Sequence, residues 1–287
     1  MRRRYTKVIL RVSNTVILSA LAVCMCAPVI LTLFASFKSG QELEHNLMPI
    51  LSGSEGPASW KLLPLYPTLR HYVKLLFEMP DFFTVFWNSV KITALILAGQ
   101  AVVAVPAAWA FAKFNFRGKN VLLMIYIILM LMPFQVTMLP SYLVMDRIGL
   151  MNTQASVILP AIFSTLPVFI IYRGFVAIPK ELLEAAQVDG AGELAVFVRI
   201  GIPLGMPGIL SALVLGFLEY WNMMEQPLAF IQDKTLWPLS LYLPEIQTGQ
   251  AGTALAASVV VLIPAAFVFS IGQDYLEQGI IASGIKE

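Results

Sequence analysis

Glu184, Ala185, Ala186, Asp189 and Gly190 fall in the stretch EAAQVDGAG, which differs in chemistry from the oily sequence on either side of it. A carboxylate beside two alanines offers a charge-assisted contact to a basic partner that can approach closely, and a glycine allows a tight chain reversal. That is docking chemistry rather than bond-making chemistry. A second set, Asn88, Gln135, Tyr142, Glu219, Trp221 and Asn222, places amides, a carboxylate and aromatic faces in or beside apolar runs, with Gln100 and Thr137 nearby. Such groups suit a hydroxyl-rich solute, and the same groups serve equally as hydrogen bonds between helices.

Chemistry of other kinds is poorly served. Cys24 and Cys26 are two apart and point to different faces of a helix, so they neither pair nor share a metal, and His45 and His71 stand alone. No G-x-S-x-G nucleophile motif is present, so no catalytic residue is assigned and a membrane enzyme is a poor reading. The phosphate-binding pattern G-x-x-x-x-G-K-[ST] is absent as well; FRGKN lacks both the upstream glycine and the following hydroxyl. The chain is therefore expected to bind no ATP or other cofactor and no metal. An ion-coupled secondary transporter of a small polar solute is the alternative, but the ionisable residues it would use, Lys91 and Glu219, fall near span ends where they can snorkel.

The elements that position these residues follow from composition. The chain has 287 residues, of which 58% are hydrophobic and 13% charged, and its mean hydropathy is +0.78; a soluble domain carries about 25% charge. The class is an all-α polytopic membrane protein, and a net charge of +2 gives no reason to expect nucleic acid. Crossing the hydrocarbon takes roughly 20 apolar residues, and such runs occur at 12–35, 86–111, 121–144, 156–171, 204–221 and 254–271. Six transmembrane helices are predicted, the fourth of them short and holding Pro160 and Pro167. The first run is longer than a secretion signal and reads as an uncleaved anchor.

Orientation follows from the basic residues. Arg2, Arg3, Arg4, Lys7 and Arg11 precede the first span, Lys113, Arg117 and Lys119 follow the second, and Arg173, Lys180 and Arg199 follow the fourth. The two short loops of opposite side hold only Arg147 and Lys234. Both termini are thus expected in the cytoplasm. In the long outer segment the prolines of MPILSGSEGP and LLPLYP mark turns, and LRHYVKLLFEMPDFF reads as an amphipathic surface helix.

The docking stretch then lies in a cytoplasmic loop at about 173–203, far longer than a bare connection. IPKELLEAAQV predicts a helix with Pro179 in its first turn and Glu181 and Glu184 opposing the positive helix start. Asp189 and Gly190 break it, with Asp189 as a cap for a second helix, ELAVFVRIGI.

EAAQVDGAGELAVFVRIGIPLGMPG resembles the EAA loop of binding-protein-dependent ABC importer permeases. MPFQVTMLPSY, FNFRGKN, EYWNMMEQPL and GQDYLEQGIIASGI are similar to the carbohydrate-uptake subfamily, particularly its maltose-type subunit; Gly192 stands where that family usually has a small hydroxyl residue. The resemblance covers roughly residues 83–286. It implies a type I ABC importer permease fold: a first part at 1–82, a permease core of five helices at 83–272 with the coupling loop, and a cytoplasmic tail at 273–287. It also implies partners: a second permease subunit, an ATPase dimer that carries the ATP and Mg and receives the EAA loop, an extracytoplasmic solute-binding protein, and a carbohydrate passing through a prokaryotic cytoplasmic membrane. The segment between spans five and six would face outward toward the binding protein.

Overall fold

The computed structural model describes residues 2–51, 61, 63–242 and 250–284, with side chains at 12–46, 61, 63–242 and 250–276. Most of MPILSGSEGP, part of the last outer segment and residues 285–287 lie outside the described residues, as do the side chains of Arg2, Arg3, Arg4, Lys7 and Arg11. Among the described residues every regular element is helical. Besides a 12-residue helix at Gly40–Leu51, the helices that position the candidate residues are α1 (Arg2–Ser36), α2 (Pro80–Lys113), α3 (Lys119–Leu131), α4 (Phe134–Arg147), α5 (Ala155–Ile162), α6 (Thr165–Val176), α7 (Lys180–Val188), α8 (Ile202–Trp221), α9 (Glu225–Phe230) and α10 (Ala251–Gly284). Among the described residues, five stretches are long and apolar enough to cross a membrane: Val12–Ser36, Pro80–Lys113, Ala155–Val176, Glu193–Trp221 and Ala251–Leu276.

The expected third span, 121–144, is not one continuous helix. It is α3 and α4, bent by 105° at the break between them, so the count is six only when the bent pair is taken as one span. The cause is local. Met132 precedes a proline and is driven out of helical geometry to φ −69°, ψ 132°, and Pro133 then opens α4 with a φ that suits a helix start. The fourth span is longer than its apolar run suggested, 22 residues over Ala155–Val176, and is interrupted at Phe163–Ser164, where Ser164 takes extended geometry before α6. The tail expected at 273–287 continues α10 in helical form to Gly284.

Two compact units form. One comprises Met1–Pro80 and Leu243–Leu262, the other Asp81–Tyr242 and Ile263–Glu287. In the first, no residue of the most apolar 18-residue window of α1 is buried, as expected for a helix that is oily on every side and has no charged stripe to turn to water. Past α1 the chain is tied down. Ser36 Oγ and Tyr72 Oη are hydrogen-bonded at 2.6 Å, Lys38 is buried with its ammonium donating to the Lys61 carbonyl, and His71 packs its ring on Gly252, where a Cβ would sit 2.2 Å from Nε2. The predicted surface helix is present as a turn at Arg70–Val73 followed by a wide π turn, Lys74–Glu78, leading into α2.

The second unit holds two apolar cores. Val168, Ile171 and Phe175 of α6 pack with Ala104, Ala108 and Trp109 of α2 and Ile209 of α8. Val157, Ile158 and Ala161 of α5 pack with Ile92 and Ile96 of α2, Tyr220 and Phe230. In the first core α6 and α8 approach closely enough that a Cβ on Gly174 would meet Gly208 Cα at 3.2 Å, a separation that small residues permit between membrane helices.

Candidate functional site

The docking stretch folds as helix, reversal, helix. Pro179 precedes α7 in extended geometry, and Leu183 is buried with Ala186 packed against the core of α2, α6 and α8. Glu184, Ala185 and Asp189 are exposed. Gly190 has φ +85°; its N–H donates to the Gln187 carbonyl and that of Ala191 to the Ala186 carbonyl, both at 3.0 Å. This pair of bonds is the Schellman arrangement that closes a helix on a left-handed residue.

Asp189 does not cap the second helix. That helix starts at Glu193 and its N-cap position is Gly192, with no side-chain bond; an N-cap must sit immediately before the helix to reach its first free N–H groups, and Asp189 is too far back. It occupies the C-cap of α7 instead. Across the reversal, Gln187 Nε2 donates to the Glu193 carboxylate at 3.2 Å. The second helix is not separate either: Glu193–Val196 passes through a π turn, Phe197–Gly201, directly into α8. Only the four residues of the reversal, 189–192, separate α7 from this span. Around Glu184 the loop also exposes Leu182, Val188 and Leu194, at 50%, 87% and 73% of their surface, an apolar surface that the helical spacing alone did not separate from the buried Leu183.

The polar residues singled out along the spans are dispersed in role. Asn88 Nδ2 donates to the carbonyls of Thr235 and Trp237 at 2.8 and 3.0 Å, so it anchors the segment after α9. Trp221 is buried, stacked on Phe217 with centroids 5.5 Å apart and edge-on to Phe86. Asn222 Nδ2 returns to the Leu218 carbonyl of its own helix at 2.8 Å. Tyr142 is partly exposed and meets the Phe230 ring edge-on. Glu219 is exposed. Gln135, just past the α3–α4 bend, reaches the carboxylate of Glu225 at 3.2 and 3.3 Å.

Glu225 was not singled out from the sequence, nor were Gln226, Asn152 and Ser89. Asn152 has φ 58° and its Oδ1 accepts from the N–H groups of Gln232 and Asp233, both at 2.8 Å, while Ser89 Oγ accepts from Leu239 N. Together with Asn88 they hold the described part of the segment after α9, residues 231–242, in place. Pro160 was a usable signal for Gln226, because a proline leaves the carbonyl four residues earlier without its helical donor. That carbonyl belongs to Ser156, and Gln226 Nε2 lies 3.4 Å from it.

Apolar spans joined to an exposed helical docking loop define an integral membrane transport component. Residues 101–282 match the family model for the binding-protein-dependent transport system inner membrane component, and the chain belongs to that family. It is 28% identical to the arabinooligosaccharides transport system permease protein AraQ of Halalkalibacterium halodurans, over 99% of each chain. It is 30% identical to the diacetylchitobiose uptake system permease protein DasC of Streptomyces coelicolor, over 81% of this chain and 85% of that one. Its fold is similar to a chain of a bacterial ABC transporter involved in the import of the acidic polysaccharide alginate, with a TM-score of 0.79, 22% identity, and 93% and 96% of the two chains covered.

Proposed function

We propose that this permease subunit forms half of the path of an ATP-driven carbohydrate importer and takes its drive through α7. The observation that carries the coupling role is the Schellman reversal at Gly190, which presents Glu184 and Ala185 on an exposed helix whose other side is rooted in the core of α2, α6 and α8. A basic groove on a separate ATPase subunit would find there a carboxylate, small side chains and the apolar Leu182, Val188 and Leu194. Motion of that groove would pass to α6 and α8 through the shared core. The carbohydrate class is supported by the relatives, which are permeases of oligosaccharide and chitobiose uptake.

In this reading ATP and Mg belong to the ATPase dimer, a second permease supplies the other half of the path, and an extracytoplasmic binding protein delivers the sugar to the side holding residues 231–242. Both termini and α7 face the cytoplasm. The candidate path residues are Asn88, Gln135, Tyr142, Glu219, Trp221 and Asn222, among which Gln135, Tyr142, Glu219 and Asn222 are exposed. Proteoliposomes test the whole reading. The chain alone should neither hydrolyse ATP nor move sugar, and the complete set of subunits should import sugar only with ATP and the loaded binding protein. Uptake by the chain alone under a proton gradient would establish an ion-coupled transporter instead.

A further inference from the structure

The two cores of the second unit meet at a polar waist. On α2, Ile92 and Ile96 belong to one core and Ala104, Val105 and Ala108 to the other, and between them stands Gln100, 1% exposed. On the fourth span the same boundary falls between Ala161 and Val168, where the helix is broken at Phe163–Ser164. A break inside a membrane must have its freed backbone groups satisfied by protein. Gln100 does this. Its Nε2 donates to the Ala161 carbonyl at 2.8 Å and to Tyr220 Oη at 2.9 Å, and Tyr220 stands on the last turn of α8. One amide thereby ties α2, the end of α5 at the break and α8.

The two halves of the broken span have different attachments. The outer half, α5, is held by Gln226 at Ser156 and, just before it, by Gln154 Nε2 donating to the Leu236 carbonyl at 3.3 Å. The other half, α6, shares its core with Leu183 and Ala186 of α7. Gln100 Oε1, meanwhile, is buried and has no hydrogen-bond partner among the described residues. An unsatisfied buried acceptor is costly, so any arrangement of the helices that brought Oε1 a donor would recover that cost.

We infer that Gln100 is the pivot of a hinge at Phe163–Ser164, a positioning residue that keeps the two halves of the fourth span in register while α6 follows α7 during transport. This rests on the coupled-import reading above.

The test uses the complete importer in proteoliposomes. Gln100→Met keeps the side chain's length and removes its bonds; Tyr220→Phe keeps the ring and removes only the hydroxyl. Both should leave assembly near normal and cut the stimulation of ATP hydrolysis by loaded binding protein about fivefold or more, the size of a lost coupling term. Gln226→Met removes a comparable glutamine-to-carbonyl bond from the same span away from the break, and should leave that stimulation intact. Wild-type stimulation in both waist variants, or an equal loss in Gln226→Met, overturns the pivot. Failure of both waist variants to assemble also overturns it, because the waist is then a folding element. A wild-type complex that imports no sugar with ATP refutes the functional reading rather than the hinge.

Discussion

Gly190 and Gly118 share a backbone geometry, φ +85° and +86°, and neither has any atom within 4 Å of where a Cβ would stand. Space is open at both, so Gly190→Val and Gly118→Val carry the same penalty, about 1–2 kcal/mol of left-handed strain. What differs is the element each supports. Gly190→Val should reach the membrane at normal abundance yet lose retained ATPase or its stimulated hydrolysis, as should the charge reversal Glu184→Lys; Gly118→Val should keep both. Equal sugar uptake by all three at matched abundance would remove the loop from the coupling path. His71 gives a residue-scale prediction of another kind. Burial, helped by Lys74 and Arg70, holds its pKa below the ordinary 6.5, against an opposing hydrogen bond to the Lys38 carbonyl. The folded form therefore favours the neutral ring, and the unfolded form binds the proton first. Stability of the first unit is fully present above pH 6.5 and declines as pH falls below that value. Protection factors at residues 68–73, corrected for the base-catalysed intrinsic exchange rate, should fall on acidification in the wild type and respond less in His71→Gln; equal profiles would show that His71 is not the titrating group.

Among the elements, prolines show how far the sequence could be read. Pro106, Pro207 and Pro264 lie inside α2, α8 and α10, and Pro140 and Pro160 inside α4 and α5, yet only Pro133 stands at a 105° bend. Hydropathy set the apolar runs because run length decides insertion; it carried no mark of which proline breaks its helix, since neighbouring elements determine that. The docking helix and its glycine reversal were legible because both are local. Asp189 was misplaced because Asp before Gly looks the same at a helix end as ahead of a helix start, and the reversal used here needs backbone groups alone. Gln135 with Glu225 joins residues far apart in sequence, and no spacing foretells such a pair; for Gln226 with Ser156, Pro160 marked the freed carbonyl but not its partner. Asn152 provides the element-scale test. Asn152→Ala loses two hydrogen bonds to the 231–242 segment and puts alanine at φ 58°, a cost of about 2 kcal/mol or more. That segment should become cleavable by added protease in Asn152→Ala and stay resistant in Asn152→Asp, which keeps the acceptor; equal resistance in both would mean the segment is held elsewhere.

For the whole molecule, the asymmetry of basic residues makes a claim about sides. Asn115, Gly192 and Gln232 are all exposed. In a background without Cys24 and Cys26, cysteines at Asn115 and Gly192 should resist a membrane-impermeant thiol reagent in intact cells, and one at Gln232 should react. Labelling at Gly192 from outside would invert the topology and detach α7 from any cytoplasmic ATPase. The bend between α3 and α4 sets how far each arm can reach. At about 1.5 Å per residue, the 13 residues of α3 and the 14 of α4 reach about 20 Å each, short of the roughly 30 Å of hydrocarbon. An apolar run of spanning length, 121–144, is thus present as two arms set at 105° to each other, each too short to cross by itself.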